Sequence, residues 1–139
     1  MSSSNNKRQN GFTLIEMLVV LVLISLLAGL VGPKLFNKVG SSKTKVASAQ
    51  IELMTSALNT YRLDAGDYPT TEQGLAALQS APEGNTTWDG PYLAKSIPLD
   101  PWNRPYHYKL KNNGEFALFT YGKDGQEGGT GENQDVGTL

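Results

Sequence analysis

Apolar residues fill nearly every position from 12 to 31, and the only charge among those twenty residues is Glu16. A helix rises about 1.5 Å per residue, so about 20 such residues cross a hydrocarbon core of ~30 Å. Residues 12–31 therefore predict a membrane-spanning helix. Gly32 and Pro33 interrupt the run, and because proline removes a backbone donor and clashes with the preceding turn, they predict a kink rather than a stop. The pattern then changes. Ala47, Ile51, Met54, Leu58 and Tyr61 recur at alternating spacings of four and three, with Val46, Leu53 and Ala57 beside them, the stripe of an amphipathic helix. The long helix is expected to run to about Leu63 and to end in Asp64-Ala65-Gly66-Asp67.

Thr70 and Gln73 have capping-box spacing and predict a short second helix, with Leu75 and Leu78 pinning it to a core. Residues 80–105 are rich in Pro, Gly, Asn and Asp and predict an ordered loop anchored by Trp88, Tyr92 and Trp102. Tyr106 to Leu110 and Phe116 to Tyr121 flank Asn112-Asn113-Gly114, an antiparallel hairpin signal. Residues 122–139 hold six glycines and four carboxylates and show neither a strand nor a helix period. The whole predicts an α+β fold: a long N-terminal helix, membrane-spanning in its first half, packed in its second half on a small antiparallel sheet, with a Gly-rich C-terminal loop.

Composition narrows the function. A chain of 139 residues has room for one membrane segment and one small domain. The net charge of -1 offers no basic field for nucleic acid. Without cysteine there are no disulfides, thiolate metal sites or cysteine nucleophiles. No Ser/His/Asp arrangement, P-loop or dinucleotide fingerprint is present, and His107, the single histidine, lies in a predicted strand as a structural residue. Neither enzymatic activity nor a small-molecule substrate is expected. A secretory signal has an apolar region of about 7 to 15 residues and a small-residue cleavage site, shorter than this run and without a Glu. Lys34, Lys38, Lys43 and Lys45 follow the span while Lys7 and Arg8 precede it, and by the positive-inside rule that count places the C-terminal domain in the cytoplasm.

Two constellations carry chemistry. A charge in an apolar helix is costly and calls for a partner. Phe12, four residues before Glu16, lies on the same helix face. The alternative is a Glu lying at the lipid interface among headgroups. In the tail, Asp124, Glu127, Glu132 and Asp135 offer only oxygen, which suits a hard cation of calcium type rather than zinc; the alternative is a solvated Gly-rich segment.

Gly11 before Phe12-Thr-Leu-Ile-Glu16, Tyr68-Pro-Thr-Thr-Glu-Gln-Gly-Leu75, Asp100-Pro101-Trp102 and Gly122-Lys123-Asp124-Gly125 together carry a family likeness from about residue 7 to the end. The chain resembles the prepilin-like proteins, and most closely the major pseudopilins of type II secretion systems. The resemblance implies removal of residues 1–11 by a membrane aspartyl prepilin peptidase and N-methylation of Phe12. Residues 12–33 would be the transmembrane and assembly helix, with Glu16 meeting the N-terminus of a neighbouring subunit and with Gly32 and Pro33 marking helix that loosens as the subunit leaves the bilayer. Residues 34–139 would form a periplasmic domain, and the leader junction outweighs the positive-inside count. The resemblance also implies a calcium ion held by Asp124, Asp135 and the backbone carbonyls of Tyr121 and Gln126, with a further ligand from near Glu132.

The implied partners are copies of itself in a homopolymer, minor pseudopilins, the prepilin peptidase and the inner-membrane assembly platform, with energy from a separate ATPase. One departure stands out. Family members commonly end in Gly-Asn-Trp, where this chain has Gly137-Thr138-Leu139. The alternatives are a type IV or competence pilin, which usually closes its C-terminal region with a disulfide, and a membrane-anchored calcium-binding domain that never polymerises.

Overall fold

The computed structural model describes residues 10–139, in the order α1 (Leu14–Ala65), β1 (His107–Leu110), β2 (Phe116–Thr120) and β3 (Val136–Thr138), with short 3-10 helices at Gly74–Leu78 and Gly131–Asn133. The chain divides into two compact units, Met1–Lys38 and Val39–Leu139.

In the first unit every large apolar side chain from Phe12 onward is exposed, from Val20 at 47% to Leu14 at 85%. A soluble monomer rarely shows contiguous apolar surface of that extent. This part of α1 is long and apolar enough to cross a membrane. The helix continues through Pro33 without a stop.

In the second unit, α1 buries Ala47, Ile51, Met54, Ala57, Leu58 and Tyr61 against the rest of the domain. Val46 and Leu53 depart from the expected stripe: they lie beyond its edge, 49% and 59% exposed. Tyr68, Leu75, Leu78, Leu93, Tyr106, Leu118 and Val136 complete the core, with Trp88, Tyr92 and Trp102 packed at its margin. Burying a Leu or Met side chain contributes roughly 1.5–3 kcal/mol, so the stripe is what fastens the helix to the sheet.

The sheet has the order β1-β2-β3 and is antiparallel throughout. β1 and β2 form the expected hairpin, pairing His107 with Phe119 and Leu110 with Phe116. Gly114, at φ 83°, supplies the left-handed position of its turn. β3 was not expected, because three residues are too few to display a period of two; it is defined by pairing Thr138 with Leu118 and Val136 with Thr120. This pairing, with Thr138 Oγ1 accepting from the Leu118 N–H at 3.4 Å, holds the end that lacks the family's aromatic anchor.

The second helix is short, as expected, and of the 3-10 type. Its capping box forms, with Thr70 N–H donating to Gln73 Oε1 at 2.9 Å and Gln73 N–H to Thr70 Oγ1 at 3.2 Å. Gly74 at φ 57° then leaves α geometry, and only the 3-10 helix Gly74–Leu78 follows.

Each core tyrosine hydroxyl has a partner: Tyr68 donates to Asn59, Tyr106 to Gln50 and Tyr108 to Pro69 O, and Tyr61 accepts from Asn85. Burial raises the Tyr106 and Tyr108 phenols well above their ordinary range. An acid whose folded pKa is raised keeps its proton in the folded state while the unfolded chain loses it, so stability falls as pH rises. Stability should hold to about pH 9 and decline above pH 10, where unfolded tyrosines ionise. Chemical denaturation between pH 8 and 11.5 checks this, and a flat midpoint contradicts it.

Candidate assembly and metal sites

The first site is the beginning of α1. Thr13, the residue before the helix, donates its N–H to Glu16 Oε2 at 2.9 Å, and Glu16 N–H donates to Thr13 Oγ1 at 3.3 Å. This reciprocal pair is a capping box, and it places a negative charge in the first turn, where the helix dipole favours one. Thr13-Leu-Ile-Glu16 carries the box's sequence signature, so Thr13 is a site residue that the sequence could have shown. The box folds the carboxylate back toward Gly11 and Phe12, which precede the helix and are exposed. Lys7 and Arg8 lie outside the described residues. Gly32 stands in open space, where a Cβ would meet nothing within 4 Å, and Pro33 lies within the helix.

The second site is the tail. Loop 122–135 leaves β2 and returns to β3, and the Lys123 N–H donates to Glu132 O at 2.9 Å across its neck. Asp124 Oδ1 accepts the Gln126 N–H at 3.1 Å, and Asp135 Oδ2 accepts the Gly128 N–H at 2.9 Å. Asp135 Oδ1 is buried and has no hydrogen-bond partner among the described residues. Close approach requires glycine at 129, where a Cβ would lie 2.6 Å from Asn133 O at a φ of 92°.

Glu132 pairs with Lys123 at 3.0 Å and lies against α1 at Gly40, where a Cβ would fall 1.5 Å from its Oε1. Glu127 is exposed. Among the described residues, no three side chains from Asp, Glu and His gather around one point. Arg104, which no local pattern marks, reaches the loop from before β1. Its Nη2 donates to Gly122 O at 2.5 Å and Lys123 O at 2.6 Å. His107 is exposed and stacks on Phe119, with ring centroids 5.2 Å apart.

A capped acid heading an exposed apolar helix, followed by a small α+β domain, defines a pilin-like subunit. Comparison with known proteins places it within that class. Residues 6–32 match the prokaryotic N-terminal methylation motif, and residues 34–139 match the type II secretion system protein G family. Relatives include the type II secretion system core protein G of Pseudomonas aeruginosa, 41% identical over 94% of this chain and 95% of that protein, and that of Vibrio cholerae, 40% identical over 94% and 92%. Among solved structures, the major pseudopilin of enterohaemorrhagic Escherichia coli is 31% identical, with a TM-score of 0.59 over 76% of this chain and 93% of that one.

The chain belongs to the type II secretion system protein G family, the major pseudopilins. It is a structural subunit rather than an enzyme, anchored in the inner membrane by its apolar helix and assembled into the periplasmic pseudopilus. The family, not the flanking lysine count, decides the orientation.

Proposed function

We propose that the chain is made as a precursor whose residues 1–11 are removed by the prepilin peptidase, and that it polymerises through residues 12–33 with domain 34–139 in the periplasm. The capping box is the observation that carries this reading. It holds the Glu16 carboxylate within one turn of Phe12, where cleavage after Gly11 creates an amino group of opposite charge. Phe12 is methylated there, and in the fibre Glu16 meets the Phe12 amino group of a neighbour. A charge pair removed from water is rewarded only when both ends are in register, so it specifies axial position more than it adds raw stability. At Gly32 and Pro33 the helix lacks the hydrogen bond that a residue-33 N–H would give to residue 29, and it loosens there as the subunit leaves the bilayer. The other partners in this reading are minor pseudopilins and the inner-membrane assembly platform.

The tail loop in this reading binds calcium. An anionic, buried oxygen without a partner is costly, and Asp135 Oδ1 is such an oxygen. The donors are all oxygen, which fits a hard cation. Asp135 and Asp124 would hold the ion with the carbonyls of Tyr121 and Gln126, and the ion would neutralise the acids and order a segment poor in apolar residues.

Intact-mass analysis of the protein from native membranes tests the processing step. A chain beginning at monomethylated Phe12 is expected; Met1, or a start near residue 30, contradicts the proposal.

A further inference from the structure

The tail loop is gripped at its first limb by a cation that the chain itself supplies. We infer that Arg104 is the positioning residue of the calcium loop: its guanidinium fixes residues 122–125 before the ion arrives and so holds the neck where Lys123 meets Glu132, leaving only the tip, residues 126–131, for calcium to order. The inference rests on the calcium reading above, and it concerns the shape of the loop rather than the coordination of the metal.

Three observations carry it. One guanidinium nitrogen donates to both Gly122 O and Lys123 O, 18 and 19 residues away in sequence, so the contact is tertiary. Arg104 is itself held at its backbone. Its N–H donates to Asp100 Oδ1 at 2.8 Å, its carbonyl accepts the Asp100 N–H at 2.8 Å, and the buried Asp100 accepts the Thr120 hydroxyl on β2 at 2.5 Å. The loop is also shaped to receive it, for a Cβ at Gly125 would lie 2.3 Å from Arg104 Nη1, at a φ of 68° that itself favours glycine.

The two cations claim different oxygens. Arg104 takes the carbonyls of Gly122 and Lys123, whereas the metal reading uses those of Tyr121 and Gln126. Two effects then oppose each other. A guanidinium near a divalent ion repels it, but in an exposed loop that repulsion is screened by water and salt. A limb already fixed spares the ion the entropy of ordering it, a cost that otherwise falls on binding residue by residue. The ordering effect is the larger, so losing Arg104 weakens calcium binding.

The test uses the full chain in detergent micelles. Hydrogen exchange at the Lys123 amide is followed in chelator, and calcium is titrated by calorimetry. The wild-type amide should be protected without calcium. Arg104→Ala should lose at least tenfold of that protection and bind calcium about tenfold more weakly. Arg104→Lys, a shorter point charge without the planar fork, should recover only part of both. Arg104→Met, which keeps the apolar stem and removes the donors, should behave like Arg104→Ala, and it carries the test if that variant does not fold. Unchanged protection in these variants, or tighter calcium in Arg104→Ala, overturns the inference. A wild type that ignores calcium sinks the calcium reading alone, since loss of Lys123 protection in chelator still upholds the grip of Arg104.

Discussion

Replacing Glu16 by glutamine should abolish fibre assembly while leaving cleavage after Gly11 largely intact. Glutamine is the informative substitution because it can still accept the Thr13 N–H, which Glu16 now takes at 2.9 Å, and so preserves the capping box while removing the charge. Breaking a buried ion pair by deleting one partner costs about 3–5 kcal/mol, since the other charge is left uncompensated. At 1.4 kcal/mol per tenfold, this is a loss of roughly a hundredfold or more at each subunit addition. Glu16→Ala should fall as far. Thr13→Val loses the hydroxyl cap, worth about 1 kcal/mol, but keeps the carboxylate, so its fibres should form at reduced yield. Shearing fibres from cells and quantifying the protein separates these outcomes. If Glu16→Gln assembles as well as wild type, the acid serves only the cap.

The second large effect is on thermal stability. With calcium about a hundredfold above its Kd, the wild type should gain about 2.7 kcal/mol, and for a domain of this size each 1 kcal/mol is worth roughly 4–8 °C. Chelation should therefore lower Tm by about ten to twenty degrees. Asp135→Ala should show no calcium response. In chelator it should differ little from wild type, because losing the hydrogen bond from Gly128 is offset by removing the buried oxygen without a partner. Asp124→Ala should also lose the response. Scanning calorimetry of the detergent-solubilised chain with and without calcium reads both variants, and a wild-type Tm indifferent to chelator rules the ion out.

Local chemistry made much of this protein legible before any coordinates. The four-three spacing of Ala47 to Tyr61 marked the face that α1 buries, and Asn112-Asn113-Gly114 marked the hairpin, because both signals lie within a few residues. The Thr70 and Gln73 box was visible too, although the positive φ of Gly74, from which the helix runs as 3-10, was not. The matching box at Thr13 and Glu16 was equally visible, yet the apolar run predicted a helix from Phe12 and concealed where the cap falls. β3 and Arg104 belong to another category. Three residues with a glycine at their centre have no period to detect, and an arginine whose partners stand 18 and 19 positions away leaves no local trace. The tail's oxygen donors were recognisable as a set, but that Glu132 would be taken by Lys123 and Gly40 depends on tertiary packing.

The pairing between subunits is the claim on which this account turns, and zero-length crosslinking of isotopically mixed fibres tests it. Fibres grown from equal amounts of nitrogen-14 and nitrogen-15 subunits are treated with a carbodiimide, which joins an amine to a carboxylate already in contact, and the linked peptides are weighed. Pairing across the fibre predicts peptides joining Phe12 of one label to Glu16 of the other at near-statistical frequency. Linked peptides of a single label only would confine the pair to one chain and contradict the account.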